Sequence, residues 1–248
     1  MAKPQVAFFD FACCEGCQLQ VVNLEEHILG VVNLVDVVEF REAITGKADK
    51  YDIAFIEGSI TRPQDEEKIK DIRARSGLIV AFGSCACTGG INKLKNVYSD
   101  MNKVREVVYG DDAQMEHLDT YPTKAIDEVV QVDLKIPGCP VNRNELVRII
   151  KEVAVGKIPV LPNYPVCVEC KLNETVCMYD LGQTCIGPIA RAGCEAPCPA
   201  NGVACEGCRV TVDDPNKNAM HEILKKYDLT VDQVVQKINM YAIDPEIK

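Results

Sequence analysis

Cysteines dominate the chemistry this chain could perform, and their spacing is organised. The chain has fourteen among 248 residues, and all but Cys13 and Cys87 fall into patterned groups. Near the N-terminus stands Cys14-Glu15-Gly16-Cys17, followed far downstream by Gly83-Ser84-Cys85 and Ile136-Pro137-Gly138-Cys139-Pro140. A denser series runs Cys167-x2-Cys170-x6-Cys177-x7-Cys185, then Cys194-x3-Cys198-x6-Cys205-x2-Cys208. Thiolates at such spacing bind zinc or iron–sulfur clusters, and four of them complete the ligand set of one four-iron cluster. The eight C-terminal thiols divide into two such sets. Zinc is the rival, because paired C-x2-C motifs also build structural zinc sites. The shortness of the segment, its Gly and Pro content and the third group upstream favour iron. Disulfides are the weakest reading. The opening residues lack a secretory pattern, and no run is long and apolar enough to span a bilayer, so a reducing cytoplasm is expected.

The positions of the first group depend on the elements around them. Val6–Phe11 is a short apolar run, and Gln18–Leu29 repeats apolar residues at helical spacing. Val31–Phe40 reads as a second strand, Asp52–Ile60 as a third, Leu78–Gly83 as a fourth and Glu128–Ile136 as a fifth. Pro63 opens a charged helix over Gln64–Arg75, and Asn142–Val155 is another helix. The polar stretch from Asn92 to Lys124 reads as a helical insertion. Strand–helix alternation with apolar strands predicts an α/β fold with a doubly wound, flavodoxin-like parallel sheet. Each N-terminal cysteine motif then lies at the carboxyl end of a strand, where open parallel sheets bind ligands. Cys14, Cys17, Cys85 and Cys139 can therefore meet from three loops. Ordinary buried cysteine is the bland alternative, and it suits Cys13 and Cys87.

Composition changes near residue 156. The prolines of 156–165 suit a linker rather than a helix or central strand. Little in Cys167–Cys208 could form an apolar core, so metal would have to organise it. Helical patterning resumes at Lys217–Tyr227, and Thr230 with Gln233 forms a capping-box pattern. The expected division is a flavodoxin-like domain over 1–156, a small iron–sulfur domain over 157–215 and a helical tail over 216–248. Acids outnumber bases 37 to 27, giving a formal net charge of −10. Such a chain repels phosphate backbones, which argues against nucleic acid as a partner.

Taken together, these motifs resemble the small subunit of nickel–iron hydrogenases, particularly the cytoplasmic kind coupled to soluble carriers (the sulfhydrogenase delta and methyl-viologen-reducing hydrogenase gamma type). The resemblance spans nearly the whole chain: C-x-G-C at Cys14–Cys17, G-x-C-x-x-x-G-G at Gly83–Gly90, P-G-C-P at Pro137–Pro140, and C-x-G-P at Cys185–Pro188 followed by the rest of the cysteine-rich tail. It implies three 4Fe-4S clusters: a proximal one on Cys14, Cys17, Cys85 and Cys139; a distal one on Cys167, Cys170, Cys177 and Cys185; and a medial one on Cys194, Cys198, Cys205 and Cys208. It also implies a nickel–iron large subunit facing the proximal cluster, and a further iron–sulfur or flavoprotein electron-transfer subunit.

Several departures from that family are informative. Many relatives have His where Cys167 stands, and some have a proline where Cys198 stands. Cys198 favours four irons in the medial cluster, thiolate in place of imidazole at Cys167 adds negative charge that tends to lower potential, and both changes suit a low-potential acceptor. Oxygen-tolerant relatives carry extra cysteines at positions equivalent to Gly16 and Gly90, so this chain is expected to be oxygen-sensitive. Cys13-Cys14 resembles the tandem cysteines of the related respiratory complex I subunit. Glu15, threonine in many relatives, reads either as a proton relay or as an acid at a helix N-terminus. Glu57 reads as a buried interface acid or a loop acid. His27, His117 and His221 read as solvated or capping residues.

No nucleophile–base set, Walker loop or G-x-G-x-x-G is present, so bond chemistry is expected in the partner. Two other readings compete with hydrogenase electron transfer: a complex I-like or membrane-hydrogenase connecting subunit, and a zinc-stabilised scaffold without redox activity. The acceptor is left open among pyridine nucleotide through a flavoprotein, deazaflavin, ferredoxin and heterodisulfide reductase.

Overall fold

The computed structural model describes residues 3–110 and 119–241. Five strands, β1 (Gln5–Asp10), β2 (Asp36–Phe40), β3 (Tyr51–Glu57), β4 (Ser76–Phe82) and β5 (Leu134–Ile136), form one parallel sheet in the order β2-β1-β3-β4-β5. This is the flavodoxin-like order, whose switch point lies between β1 and β3. Central strands are apolar on both sides because helices cover both faces. Alternation along each strand sends Phe8, Phe55, Val80 and Phe82 to one core, and Phe9, Ala54, Ile56, Ile79 and Ala81 to the other.

The first core packs against α1 (Gly16–Val22), α2 (Ile28–Leu34) and, later in the chain, α6 (Arg143–Ala154). Phe8 stacks on Phe55 with ring centroids 5.0 Å apart, and Phe82 meets Phe55 edge-on at 5.8 Å. The second core packs against α3 (Pro63–Arg75) and α4 (Ser84–Thr88). Between α4 and β5 come a 3₁₀ helix over Gly90–Val97, α5 (Met101–Tyr109) and a 3₁₀ turn over Ile126–Glu128. The expected helical insertion is thus helical at Gly90–Val97 and Met101–Tyr109, while His117 lies outside the described residues.

Two expected elements differ. The run Val31–Phe40 is split: Val31 to Leu34 finish α2, and only Asp36–Phe40 is a strand. Val31 is buried on the helical face, and a run apolar at nearly every position carries no period with which to choose. The fifth strand shrinks from Glu128–Ile136 to Leu134–Ile136, because Val129 and Val130 close the preceding turn on Ile126 instead.

The segment 156–165 is extended, with Ile158 and Val160 mostly exposed. Beyond it lie α7 (Val166–Leu172), α8 (Pro197–Ala200), α9 (Lys217–Lys226) and α10 (Val231–Met240). One small apolar cluster gathers Val166, Met178, Tyr179, Ala190, Ala196 and Ala204 around cysteines. Another joins Ile186 and Ile189 to Met220, Leu224, Val234 and Ile238 of the last two helices. The Thr230–Gln233 capping box is formed.

Candidate iron–sulfur site

Three loops from the carboxyl ends of β1, β4 and β5 converge, as parallel-sheet geometry requires. Gly83 N–H donates to Ile136 O at 2.8 Å and Ser84 N–H to Gly138 O at 2.7 Å, which ties the second loop to the third. The first loop closes on both. A methyl group placed on Gly83 (φ +88°) would lie 2.5 Å from Cys17 Sγ, and one on Gly16 would approach Cys14 Sγ and Pro140. Glycine at 83 is therefore required twice over, by its left-handed backbone and by the approaching sulfur. Cys85 feels the charges of Cys139 and Cys14, and Cys17 those of Cys139 and Cys85. Cys14, Cys17, Cys85 and Cys139 are thus neighbours, with Cys17 buried and Cys14 and Cys139 exposed.

Glu57 shapes this loop. It ends β3, is 2 % exposed, and its two carboxylate oxygens accept the Cys17 and Gln18 N–H groups, each at 2.9 Å. Burial raises its pKa, and those hydrogen bonds oppose the rise. A buried acid at the switch point thus satisfies the N-terminal donors of α1. Neither sequence reading of Glu57 included this role. Glu15 stands at the N-terminus of α1, as one of its two readings expected; it adopts a left-handed conformation there, makes no side-chain cap and pairs with Arg41. The leftover thiols separate cleanly. Cys87 is buried, with its Sγ 3.4 Å from Ala81 O in the second core. Cys13 stays next to the site, accepting the Glu15 N–H and feeling the charge of Cys85.

Downstream, electrostatic neighbours again sort the thiols. Cys167 feels Cys185, Cys170 and Cys177, and Cys170 feels Cys185 and Cys177. A methyl group on Gly187 would touch both Cys185 and Cys167 sulfurs. Backbone N–H groups of Gly187 and Cys205 point at Cys185 Sγ, at 3.4 and 3.3 Å. Cys194 feels Cys208, and Cys208 feels Cys139 and Cys198. Cys205 feels Cys185, Cys208 and Cys194, so it stands where the two downstream groups adjoin. A cavity of about 580 Å³ is lined by Cys139, Cys194, Cys198, Cys205, Cys208 and Tyr241, among others.

Burial raises most of these thiols. Cys85, Cys167 and Cys194 are pushed up to about 12, and Cys208 to about 11. Unligated, they hold their protons, so metal must displace them on binding. Among the described residues, no group of three or more His, Cys, Asp or Glu side chains is arranged to hold a single metal ion. A zinc ion needs four donors at about 2.0–2.3 Å from one centre. A four-iron cluster instead takes one thiolate on each iron, so four cysteines complete its ligand set. The donor sets and glycine-lined loops fit the larger group.

Sequence reasoning missed the buried polar residues between these groups. Arg209, beside Cys208, is 2 % exposed and pairs with Glu145 of α6. Glu169, between Cys167 and Cys170, accepts the Gly193 and Ala196 N–H groups that flank Cys194. Their only sequence signal was adjacency to ligand cysteines. His27 lines the mouth of the cavity, and His221 is exposed on α9.

The comparisons agree with this fold. Residues 14–153 match the family described as NADH ubiquinone oxidoreductase, 20 kDa subunit. Over 240 residues the chain is 32% identical to sulfhydrogenase 2 subunit delta of Pyrococcus furiosus, covering 96% of this chain and 99% of that one. It is 30% identical to one of the subunits of the vhu F420-non-reducing hydrogenase from Methanocaldococcus jannaschii, covering 82% and 81%. Its fold matches a chain of an NAD⁺-reducing [NiFe]-hydrogenase crystal structure with a TM-score of 0.59 and 24% identity, over 65% of this chain and 96% of that one. The chain belongs to the 20 kDa oxidoreductase-subunit family. Within it, the chain stands with the hydrogenase small subunits, as an oxidoreductase component rather than a free-standing enzyme.

Proposed function

We propose that this chain is the electron-transfer subunit of a nickel–iron hydrogenase complex, relaying electrons through three 4Fe-4S clusters between a large-subunit active site and a soluble redox partner. The observation that carries the proposal is the convergence of Cys14, Cys17, Cys85 and Cys139 from three strand-end loops, beside a downstream segment with eight more patterned thiols. Bound clusters would supply one-electron storage in a row, and the protein supplies thiolates, hydrogen bonds and exclusion of water.

Each set has a distinct task. Cys14, Cys17, Cys85 and Cys139 hold the proximal cluster, whose exposed ligands Cys14 and Cys139 leave it open to a docked large subunit. Cys194, Cys198, Cys205 and Cys208 hold the medial cluster around the cavity that Cys139 shares. Cys167, Cys170, Cys177 and Cys185 hold the distal cluster, where exposed Cys177 faces the further electron-transfer subunit. Residues 1–156, 157–215 and 216–248 serve as proximal-cluster domain, two-cluster domain and covering tail. Glycine at 16 and 90 leaves the proximal site without extra thiolates there, consistent with oxygen sensitivity. Among the described residues no helix is long and apolar enough to cross a membrane.

Two alternatives are less well supported. A complex I-like connecting subunit needs only the proximal-type site, whereas the cysteine-rich tail lies beyond the family match at residue 153 and within the span shared with the sulfhydrogenase subunit. A zinc scaffold without redox activity is disfavoured by the similarity to the sulfhydrogenase subunit over 96% of this chain. Anaerobic purification of the native complex tests the proposal: about twelve irons per chain (three clusters of four), visible charge-transfer absorption and a nickel-containing partner are expected. Colourless, zinc-loaded protein would overturn it.

A further inference from the structure

Among the described residues Arg209 is the largest fully buried side chain, and two of its hydrogen bonds reach loops that carry candidate cluster cysteines. Its Nε donates to Ala192 O at 2.9 Å, two residues before Cys194. Its Nη1 donates to Pro137 O at 2.7 Å, two residues before Cys139. The two terminal nitrogens also form a forked pair with Glu145, at 2.7 and 2.9 Å. Gly193 (φ +108°) makes room for this pair: a methyl group there would lie 2.5 Å from Arg209 Nη2 and 2.6 Å from Glu145 Oε1. A second tie runs parallel, since Ser84 Oγ, beside Cys85, donates to Cys208 O.

A buried ion pair is a poor source of stability. Desolvation offsets most of its attraction, and a packed apolar replacement is often as stable. This pair nonetheless spans the gap between the first cysteine group and the third, with a planar fork that lysine cannot reproduce. Its charges are also unequally placed. Arg209 directly follows Cys208, and its guanidinium bonds carbonyls two residues before Cys194 and Cys139, whereas Glu145 meets the guanidinium from α6. The cysteines therefore face the cationic end.

We propose that Arg209 is a positioning residue for electron transfer, fixing the interval between proximal and medial clusters and raising the medial cluster's reduction potential. This inference rests on the cluster reading above. Taking up one electron adds one negative charge to a cluster, and a fixed cation nearby in a medium of low dielectric favours that reduced form. Glu169, whose carboxylate accepts the Gly193 and Ala196 N–H groups around Cys194, places a buried acid beside the same loop.

The test uses the intact complex bearing R209Q/E145Q, which removes both charges while keeping amides in the cavity, and separately Arg209→Lys. Iron content and an EPR-monitored redox titration are measured for each. The expected result is full iron in both, one of three cluster transitions moved to lower potential in R209Q/E145Q, and a smaller shift of that same transition in Arg209→Lys. Unchanged potentials at full iron would overturn the inference, as would three transitions moving together. Should R209Q/E145Q lose iron, Arg209→Lys decides by the same criteria, and equal loss of all clusters there would reduce Arg209 to a general folding role. An iron-free wild-type complex would instead sink the cluster reading itself.

Discussion

Glu57 shows how one side chain can decide whether a ligand loop exists. Its carboxylate satisfies two adjacent N–H groups that would otherwise be buried without partners, each worth about 1–3 kcal/mol when orphaned. Glu57→Ala is expected to lower thermal stability and to strip iron from the N-terminal site, with Glu57→Gln intermediate because one oxygen remains. Iron per chain should fall by about four, one cluster's worth, and undiminished iron in Glu57→Ala would contradict the role. Gly83→Ala is the steric counterpart. The new methyl group would press on Cys17 Sγ from a backbone conformation that alanine resists. The same loss of the N-terminal cluster is expected, with the downstream EPR signals intact.

The thiols also give a pH dependence at this scale. Burial raises Cys85, Cys167, Cys194 and Cys208 above the ordinary thiol value of 9.0, so protons must leave before iron binds. Anaerobic reconstitution of reduced apoprotein should therefore proceed further at pH 8.5 than at pH 7 under otherwise equal iron and sulfide, read as absorbance and bound iron. Equal yields at the two values would show that deprotonation does not limit loading.

Elements place these residues through ordinary packing. The stack of Phe8, Phe55 and Phe82 holds β1, β3 and β4 in register beneath the three loops. Phe55→Ala should cost about 3–5 kcal/mol, measurable by denaturant unfolding, because no neighbour can fill a fully buried aromatic cavity. A milder effect belongs to α3, where Glu66 accepts from Tyr121 Oη and Lys124 Nζ and is held down to about 2 chiefly by the Lys124 bond. Because the folded carboxylate is more acidic than an ordinary one, its contribution is present above the usual carboxylate range. It is lost as pH falls through that range towards 2. Glu66→Gln should flatten stability over that window and leave it otherwise similar, and the exposed pair makes the effect small.

Element by element, legibility followed periodicity. Asp52–Ile60 and Leu78–Gly83 were readable because strands buried on both faces are short apolar runs between turn signals. Val31–Phe40 was not, since its residues satisfy helix and strand alike and packing of Val31 decided the boundary. Thr230 announced its helix through the capping pattern with Gln233, whereas the Asn142 cap of α6 became visible only in the structure.

Across the whole molecule, the tail couples the parts. Helices α9 and α10 cover Ile186 and Ile189, Lys237 pairs with Glu206, and Thr88 Oγ1 donates to Tyr241 O at 2.8 Å. Tyr241 also hydrogen-bonds the Cys139 side chain. The C-terminal segment thus reaches back to the first cysteine group while sealing the third. Truncation after Pro215 is expected to expose the isoleucines, increase dye binding to apolar surface and release iron from the downstream sites before the N-terminal one. Unchanged iron and dye binding would show the tail to be dispensable.

Residue type and spacing alone determined the thiol chemistry, the strand-end location of the first group and the family resemblance, because ligand chemistry and parallel-sheet geometry both act through local pattern. Only the tertiary structure decided how the three cysteine groups are joined. Glu57, Glu145, Glu169 and Arg209 are ordinary charges in the sequence, and what distinguishes them is burial beside partners as far as 72 residues away along the chain. No local signal encodes a contact of that range; folding creates it by bringing separate loops into one low-dielectric interior.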